Sequence, residues 1–387
     1  MKVAICFSQF GPYHHARVRA LRNYAPGLKV FPVQIAAISR TYAWKMDDPG
    51  SGLLTLCSGA EEDVSFTNVF WAAVRFWRSE RIQAAFLPSY SPASSLALLI
   101  SARLCGVRCI MMNESHAGTE RARGWKKAIK KFLVSLFHGA MVGGSPHRRY
   151  FEGLGMSGGS MVTGYDAIDN SYFSNAAREA RLRQDEIRSN LGLPKHYLLS
   201  LGRMVEKKNL GKLVEAFGVF RRIRRDSDLK LVFVGSGTGQ PELESLCEEM
   251  GFRHTLDPVN DDGLADVLFF GFRQIDENPA FYALADAFIL PSLHEEWGLV
   301  VNEAMACGLP ILISMTVGSA EDLVLPGMNG YHFDPNSVQE IAQCIRSIAD
   351  NPDDRRRMGE ASFQRIQDWG CENFAKNAMV ILQHVMS

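Results

Sequence analysis

The sequence lacks the features that mark several large classes of protein. Its 387 residues contain 42 basic and 42 acidic side chains, so no global field favours nucleic acid. The longest apolar candidate, 93–104, is interrupted by Ser101 and Arg103, and it falls short of the roughly 18 residues that a membrane span needs. The start of the chain lacks the apolar core of a signal peptide. We therefore expect a cytoplasmic protein with no nucleic-acid partner, in which any anion binds at a local site.

Metal-binding and disulfide patterns are also missing. The eight cysteines are irregularly spaced, and the one close pair, Cys105 and Cys109, has no second Cys or His pair to complete a zinc pattern. Most of the cysteines lie in apolar runs, which is typical of small buried side chains. A reducing compartment suits such cysteines.

Strand-like and helix-like segments alternate in two halves, and the length suits two domains of roughly 150–200 residues. Nearly continuous apolar strands separated by helices predict parallel sheets covered on both faces. The predicted strands are Val3–Phe7, Lys29–Ile35, Ala85–Leu87, Cys109–Met112, Ala140–Val142, Tyr197–Leu201, Leu229–Val234, Val267–Phe270, Ala287–Leu290, Ile311–Ile313 and Tyr331–Phe333. The predicted helices are His14–Tyr24, Ala93–Gly106, Trp125–Phe137, Leu210–Arg225, Glu242–Met250, Ala280–Ala285, Leu299–Cys307 and Val338–Asp350.

A domain boundary is predicted between Ile168 and Leu193, where a charged, helix-prone run precedes a new strand. This gives an N-terminal domain over 1–170 and a C-terminal domain over 190–368. The last segment, about 370–387, has the apolar residues of a helix that could pack back on the first domain. The pattern alone leaves its position open.

The segment 287–310 carries the most chemistry. A buried strand ends at Leu290, a polar loop follows, and Gly298 opens a helix that stops at Gly308. Ligands bind beyond the carboxyl ends of parallel strands, and free amides at Gly298, Leu299 and Val300 would form an anion site. Glu303, in the early turns, suits ribose hydroxyls, and Glu295, before the helix, suits sugar hydroxyls.

Three carboxylates, Glu295, Glu296 and Glu303, crowd this predicted anion site, so positive charge must come from elsewhere. Arg203 and Lys208 follow the strand 197–201 and supply it. An arginine fork can bridge two phosphate oxygens, and a lysine adds a point charge.

At these residues the sequence resembles the retaining glycosyltransferases of the two-domain GT-B fold, family four (glycosyl transferases group 1). The family's two glutamates with seven residues between them match Glu295 and Glu303. Further matches are Pro291-Ser292, Glu303–Pro310, Gly202-Arg203 with Lys208, Val232–Gly237, Gly318–Val324 and Gly327–Gly330. The resemblance extends from about Tyr197 to Ile348.

The resemblance implies two Rossmann-like domains that face a central cleft, with the acceptor on the first domain and a nucleotide-sugar donor on the second. Arg203 and Lys208 would bind the diphosphate, Glu303 the ribose and Glu295 the transferred sugar. Backbone around Phe272 and Arg273 would hold the base, and the turn at Gly235 belongs to the same donor set. The family needs no cofactor and generally no metal to bind the donor. This chain departs from the family pattern at Asn209, where glycine is common, and at Glu296-Trp297, where glycine-phenylalanine is common.

The first half offers fewer candidates. Gly11 could let a loop approach the donor phosphate, or it belongs to an ordinary turn between strand and helix. His116 follows the apolar run 109–112, and the resemblance implies a histidine near the reacting sugar; the alternative is a histidine in a surface loop. Glu114, close to His116 in the sequence, is a further candidate for this site, or it only orients that loop. His14 and His15 are equally compatible with exposure and with acceptor contact.

Four lysines lie among apolar residues in 125–137, which suits an anionic membrane face or a lipid-linked acceptor, and equally an ordinary amphipathic helix. Together these features predict a retaining hexosyltransferase that moves a sugar from a nucleotide-diphosphate sugar to a saccharide or lipid-linked acceptor hydroxyl. Its products would be glycans, polysaccharides or glycolipids, made in the cytoplasm or at the inner membrane face. The alternatives are a nucleotide-sugar epimerase on the same scaffold and a non-catalytic nucleotide-sugar-binding partner subunit.

Overall fold

The computed structural model describes residues 1–39, 52–120 and 124–387, and the chain divides into two compact units. Unit 1 comprises Met1–Asp169 with Trp369–Ser387, and unit 2 comprises Asn170–Asp368. Within the described residues, each unit contains one seven-stranded sheet, and every strand pair in both sheets is parallel. The predicted α/β class is therefore confirmed.

The first part of unit 1 alternates strands and helices along the chain, and its sheet has the order β3-β2-β1-β4-β5-β6-β7. The elements are β1 Lys2–Phe7, α1 Pro12–Tyr24, β2 Lys29–Gln34, β3 Leu54–Thr55, α2 Phe66–Glu80, β4 Ala84–Leu87, α3 Ala93–Leu104, β5 Arg108–Asn113, α4 Trp125–Ser135, β6 Gly139–Val142, α5 Ser145–Gly153 and β7 Met161–Val162.

Unit 2 repeats the alternation, with the sheet order β10-β11-β9-β8-β12-β13-β14. The elements are α6 Asn170–Leu182, α7 Gln184–Leu191, β8 Tyr197–Leu201, α8 Leu210–Ile223, β9 Lys230–Val234, α9 Gln240–Glu249, β10 His254–Thr255, β11 Val267–Phe269, α10 Asn278–Leu284, β12 Ala287–Leu290, α11 Leu299–Ala306, β13 Ile311–Ser314, α12 Ala320–Leu323, β14 Gly330–Phe333, α13 Val338–Asp350 and α14 Pro352–Ile366. The stretch between the two predicted domains thus consists of α6 and α7.

Alternation along β1 explains why the first sheet is covered on both faces. Ala4 and Cys6 belong to one hydrophobic cluster, whereas Val3, Ile5 and Phe7 belong to another. Successive side chains of a strand point to opposite faces, so one apolar strand serves two cores.

The final helix, α15 (Cys371–Met386), packs in unit 1 against α1 and the strands β5, β6 and β7. Its buried residues include Phe374, Ala378 and Leu382, which recur at helical spacing. Gly139 at the start of β6 leaves room for it, because a Cβ there would lie 2.8 Å from Ile381 Cδ1.

Several elements are absent from the sequence prediction. The helices α2, α12 and α14 and the two-residue strands β3, β7 and β10 have no counterpart in that prediction. Helix α5 starts at Ser145, which follows the cap residue Gly144. The main strands and helices are confirmed to within a few residues at each end.

Candidate functional site

The loop between β12 and α11 shapes the edge of the second sheet. Gly298 caps α11 with φ +90°, a left-handed conformation that favours glycine. The amide of Val301 donates to the carbonyl of Gly298 at 2.9 Å, so the amides of Leu299 and Val300 precede the first intrahelical bond. The structure therefore has the predicted helix start, whose amides attract anions.

Glu303 lies on the second turn of α11 and is only 1% exposed. The hydroxyl of Tyr282, on α10, donates to its Oε2 at 2.8 Å. The carboxylate is thus held in place by a tyrosine that the sequence analysis did not identify.

Glu295 lies between two ammonium groups. Lys207 Nζ donates to its Oε1 at 3.1 Å, and Lys208 Nζ contacts its Oε2. Lys207 also donates to Glu296 Oε2 at 3.1 Å. Lys208 supplies positive charge beside Glu295, as predicted, and Lys207 contacts the same carboxylate. No motif in the sequence predicts a role for Lys207.

Asn209 joins the lysine turn to the glutamate loop. Its φ of +57° is a left-handed conformation, which explains why asparagine can stand where glycine is common. Its side-chain amide donates to the carbonyl of Pro291 at 3.1 Å and to that of Pro335 at 2.8 Å. The backbone adds a bond from the amide of Leu293 to the carbonyl of Lys207 at 2.9 Å.

Arg203 follows β8, on the turn that begins at Gly202, and it lines a small cavity together with Lys208. Gly235, after β9, lies against that turn: a Cβ on Gly235 would be 2.0 Å from the carbonyl oxygen of Gly202. The structure therefore gives Gly235 a packing role, and its predicted donor contact stays a prediction.

The predicted base-binding loop lies beside the same turn. The amide of Gly235 donates to the carbonyl of Gly271 at 2.7 Å. Phe272 is 53% exposed, and Arg273 pairs with Glu277 at 3.1 Å. The predicted site residues of unit 2 follow the strands β8, β9, β11 and β12. The carboxyl ends of parallel strands share one edge of a sheet. The structure therefore brings the predicted residues of unit 2 to a single edge.

In unit 1, His116 follows β5 and caps a short 3₁₀ turn over 117–119. It is 6% exposed, its Nδ1 accepts from the amide of Gly118 at 3.2 Å, and its ring packs edge-on against His147 at 5.3 Å. The alternative of an exposed loop histidine is therefore wrong. Its contact with a sugar stays a prediction.

Gly11 is the extended cap residue of α1, with φ −132°, so its backbone does not require glycine. Its amide donates to His14 Nδ1 at 2.9 Å, and the ring of His14 stacks on Phe7 at 3.8 Å. Burial, with Arg17 and His15 nearby, lowers the pKa of His14 well below its usual value. His14 is therefore a neutral, half-buried residue that packs on Phe7, which does not fit the exposed alternative, and its contact with an acceptor stays a prediction.

Two acidic residues, the half-buried Glu114 and the buried Asp166, follow β5 and β7. A hydrogen bond links the side chains of Asp166 and Glu114, and Arg17 Nη2 lies 3.9 Å from Asp166 Oδ1. Burial raises the pKa of Asp166 to about 7, although Arg17 and the bond to Glu114 lower it. Glu114 therefore contacts Asp166, a residue that no sequence motif marks.

Helix α4 has an unusually exposed apolar stripe. Trp125, Ile129 and Phe132 are 71%, 46% and 64% exposed, and Val134 is its buried residue. Their spacing of four and three residues puts them on one face of the helix.

The lysines of α4 fall into two groups. Lys126, Lys127 and Lys131 are exposed, and Lys126 Nζ lies 5.9 Å from the Trp125 ring centre. Lys130 instead donates to Glu120 at 2.9 Å and to the hydroxyl of Tyr150 at 2.7 Å. One lysine therefore anchors the helix, and three extend into solvent.

Within 1–39, 52–120 and 124–387, no helix combines the length and hydropathy that a membrane crossing requires. The same residues contain no group of three or more His, Cys, Asp or Glu side chains that could hold a metal ion.

Comparison with known proteins identifies relatives of the second unit. The profile of the family described as Glycosyl transferases group 1 matches residues 183–365. The chain is 30% identical over 195 residues to the D-inositol 3-phosphate glycosyltransferase of Arthrobacter sp.. The aligned region covers 49% of this chain and 43% of that protein. It is also 30% identical over 194 residues to the alpha-D-kanosaminyltransferase of Streptomyces kanamyceticus. That aligned region covers 50% of this chain and 46% of the relative. The chain thus spans less than half the length of either relative.

Solved structures match the whole chain. A structure of HepE from Anabaena in complex with UDP-glucose superposes with a TM-score of 0.73 at 16% identity, and covers 99% of each chain. At this identity the likeness establishes the fold alone. The two units of parallel sheets have the GT-B fold, as predicted.

Proposed function

We propose that the chain, whose residues 183–365 match the family Glycosyl transferases group 1, transfers a sugar from a nucleotide-diphosphate sugar to an acceptor hydroxyl. The observation that carries this proposal is the shared edge of the second sheet. There Glu295, two lysines and the start of α11 lie on neighbouring loops. Relatives named as glycosyltransferases and a neighbour described with UDP-glucose support it.

Unit 2 would bind the donor. Arg203, Lys208 and the amides at the start of α11 would meet the diphosphate, because these groups attract anions. Glu303 would accept hydrogen bonds from the ribose while Tyr282 holds its other oxygen. Glu295 would bind hydroxyls of the transferred sugar, and the exposed loop at Phe272 would meet the base, which the HepE complex suggests is uracil.

Transfer would proceed with retention of the anomeric configuration. As the bond between the sugar and the diphosphate breaks, negative charge grows on the leaving oxygen, where Arg203 and Lys208 stabilise it. The acceptor hydroxyl would attack from the same face and give its proton to the leaving phosphate, so no second carboxylate is needed as nucleophile. His116 of unit 1 would lie near the reacting sugar. No metal or other cofactor takes part, and we expect full activity in excess EDTA.

Binding and transfer can be tested in sequence. A thermal-shift panel of uridine, guanosine and adenosine diphosphate sugars should reveal the donor, because a bound donor raises the melting temperature. Arg203→Ala and Glu295→Ala should each lower the transfer rate by roughly tenfold to a hundredfold, the loss of one charge-assisted hydrogen bond. Near-normal transfer by both variants would refute these assignments. Interconversion of the donor sugar would instead indicate an epimerase, and binding without hydrolysis or transfer a non-catalytic subunit.

The acceptor would bind unit 1 and would be a saccharide or a lipid-linked sugar. We propose that α4 rests on an anionic lipid surface at the cytoplasmic face of a membrane. The apolar stripe of Trp125, Ile129 and Phe132 suits insertion between lipids, and the exposed lysines suit acidic head groups. Charge complementarity therefore favours a lipid surface over a neutral partner.

Vesicle flotation tests the lipid surface. The protein should float with phosphatidylglycerol vesicles and not with phosphatidylcholine vesicles, and the double variant Trp125→Ser, Phe132→Ser should abolish flotation. Trp71→Ser, which removes a 67% exposed tryptophan on α2, should leave it unchanged. Equal binding to both vesicle types would contradict the proposal. So would a dimer that the double variant dissociates, because a second copy would then cover the stripe.

A further inference from the structure

We propose that Lys207 is a positioning residue that keeps Glu295 in place while Lys208 turns to the diphosphate of the donor. The inference rests on the proposed function, because it takes the diphosphate as the ligand of Lys208. It concerns a residue for which the family resemblance implies no role.

The two lysines bind different oxygens of one carboxylate. Lys207 donates to Glu295 Oε1 at 3.1 Å, and Lys208 contacts Oε2. The side chains of Glu295 and Lys208 are each 12% exposed, and that of Lys207 is 24% exposed. Lys208 is therefore engaged with Glu295 before a donor arrives, and its ammonium must be shared or released when the diphosphate binds.

Lys207 is held independently of Lys208. Its carbonyl accepts from the amide of Leu293 at 2.9 Å, and its ammonium also donates to Glu296 at 3.1 Å. The carbonyl of Glu295 in turn accepts from the amide of Gly318 at 3.0 Å. Both partners of the Lys207–Glu295 pair are thus tied to the sheet edge by backbone bonds, so the pair can persist after Lys208 moves.

Charge balance explains why a second ammonium is needed. Lys207 and Lys208 together match the charges of Glu295 and Glu296. Without Lys207, Glu295 would keep only Lys208 of these two ammonium groups. Lys208 would then be held more strongly by Glu295. Burial lowers the pKa of Lys207, but the two glutamates raise it more, so the net shift is upward and the side chain stays charged.

The chain thereby assigns separate tasks to two neighbouring lysines. Lys208, which lies 3.9 Å from the position of a Cβ on Gly202, is next to the turn that carries Arg203. Lys207 points at the two glutamates. In the absence of donor both lysines neutralise Glu295, and with donor bound Lys207 does so alone.

The test is nucleotide binding by calorimetry. The ligand is whichever of uridine, guanosine or adenosine diphosphate the unaltered protein binds, and the variants are Lys207→Met, Glu295→Gln and the two combined. Lys207→Met should weaken binding roughly tenfold or more, because Lys208 stays with Glu295. The combined variant should bind as tightly as Glu295→Gln alone, because no carboxylate then competes for Lys208. Lys212→Met, on α8 and paired with Glu215 at 2.8 Å, is the matched control and should bind normally.

The outcomes separate this inference from the proposed function. Binding of none of the three nucleotides by the unaltered protein would refute the proposed function and the inference with it. Equal weakening by Lys207→Met in both backgrounds would mean that Lys207 contacts the diphosphate itself, and would overturn the inference alone. Normal binding by Lys207→Met would overturn it as well. Recovery in the combined variant is an outcome that a merely structural lysine would not give.

Discussion

The hydroxyl of Tyr282 is a sensitive probe of the ribose site, because it donates to a carboxylate that is almost fully buried. Tyr282→Phe should cost about 1–3 kcal/mol of stability, since a buried acceptor loses its partner. It should also weaken nucleotide binding, because Glu303 loses its fixed orientation. Melting temperature and nucleotide affinity measure the two effects. Tyr331→Phe, on β14 of the same unit, is the control, and an unchanged affinity for Tyr282→Phe would separate Glu303 from the nucleotide.

The same residues show what the sequence could reveal at this scale. Glu295, Glu303, Arg203 and Lys208 could be selected because motif spacing and strand ends mark them. Their partners could not. Tyr282 precedes Glu303 by 21 residues, and Lys207 precedes Glu295 by 88. Such pairs become visible only when the order of the strands is known. A lysine next to a lysine also has the sequence pattern of a solvated turn.

Three elements of unit 1 meet at the buried acid of Asp166: α1 through Arg17, the end of β5 through Glu114, and the end of β7. Burial raises the pKa of Asp166 to about 7, so the folded state retains a proton that the unfolded chain loses near pH 4. The contribution of Asp166 to stability should therefore be greatest below about pH 4 and fall as the pH rises towards 7, by at most about 1.4 kcal/mol per pH unit, and then level off.

Asp166→Asn tests this dependence, because the amide cannot ionise. Between pH 5 and 8, the melting temperature of the variant relative to the unaltered protein should rise with pH. The exposed Asp63→Asn, in the same unit, should show no such trend. Parallel pH profiles for Asp166→Asn and the unaltered protein would contradict a raised pKa.

Elements whose pattern is clear could be predicted, and the others failed for physical reasons. Helix α2 is rich in aromatic residues, which have no strong preference for helix. Helix α14 is highly charged and buries few residues, and it contains Gly359, which sequence alone treats as a helix breaker. The structure explains that glycine: a Cβ there would lie 2.2 Å from the carbonyl oxygen of Gly308. Two-residue edge strands are too short to show any periodicity.

At the scale of the whole molecule, unit 1 is discontinuous in sequence. The chain leaves it after Asp169 and returns at Trp369, where Ile168 and Gly370 form a parallel bridge. Apolar periodicity predicted the returning helix but could not tell which core it completes. Only the three-dimensional structure shows that the helix completes the core of unit 1. There Gly139 on β6 faces the branched side chains of Ile381 and Val385 on α15.

The returning helix leads to a prediction about independent stability. Deleting 370–387 removes Phe374, Ile381 and Leu382 from the core of unit 1, at roughly 1.5–3 kcal/mol for each large side chain. That loss approaches the total stability of a typical domain, so unit 1 should unfold at physiological temperature. Unit 2 contains none of these residues, and it should keep a cooperative transition that rises when nucleoside diphosphate is added.

A point variant tests the same independence of the two units without removing a helix. Phe374→Ala should destabilise unit 1 by about 3–5 kcal/mol and leave the nucleotide-responsive transition unchanged. Val380→Ala, on the exposed face of α15, should change neither transition by more than about 0.5 kcal/mol. Calorimetry of the three proteins with and without nucleotide resolves the two units. If Phe374→Ala lowered both transitions equally, the units would unfold as one, and the division of stability between them would be wrong.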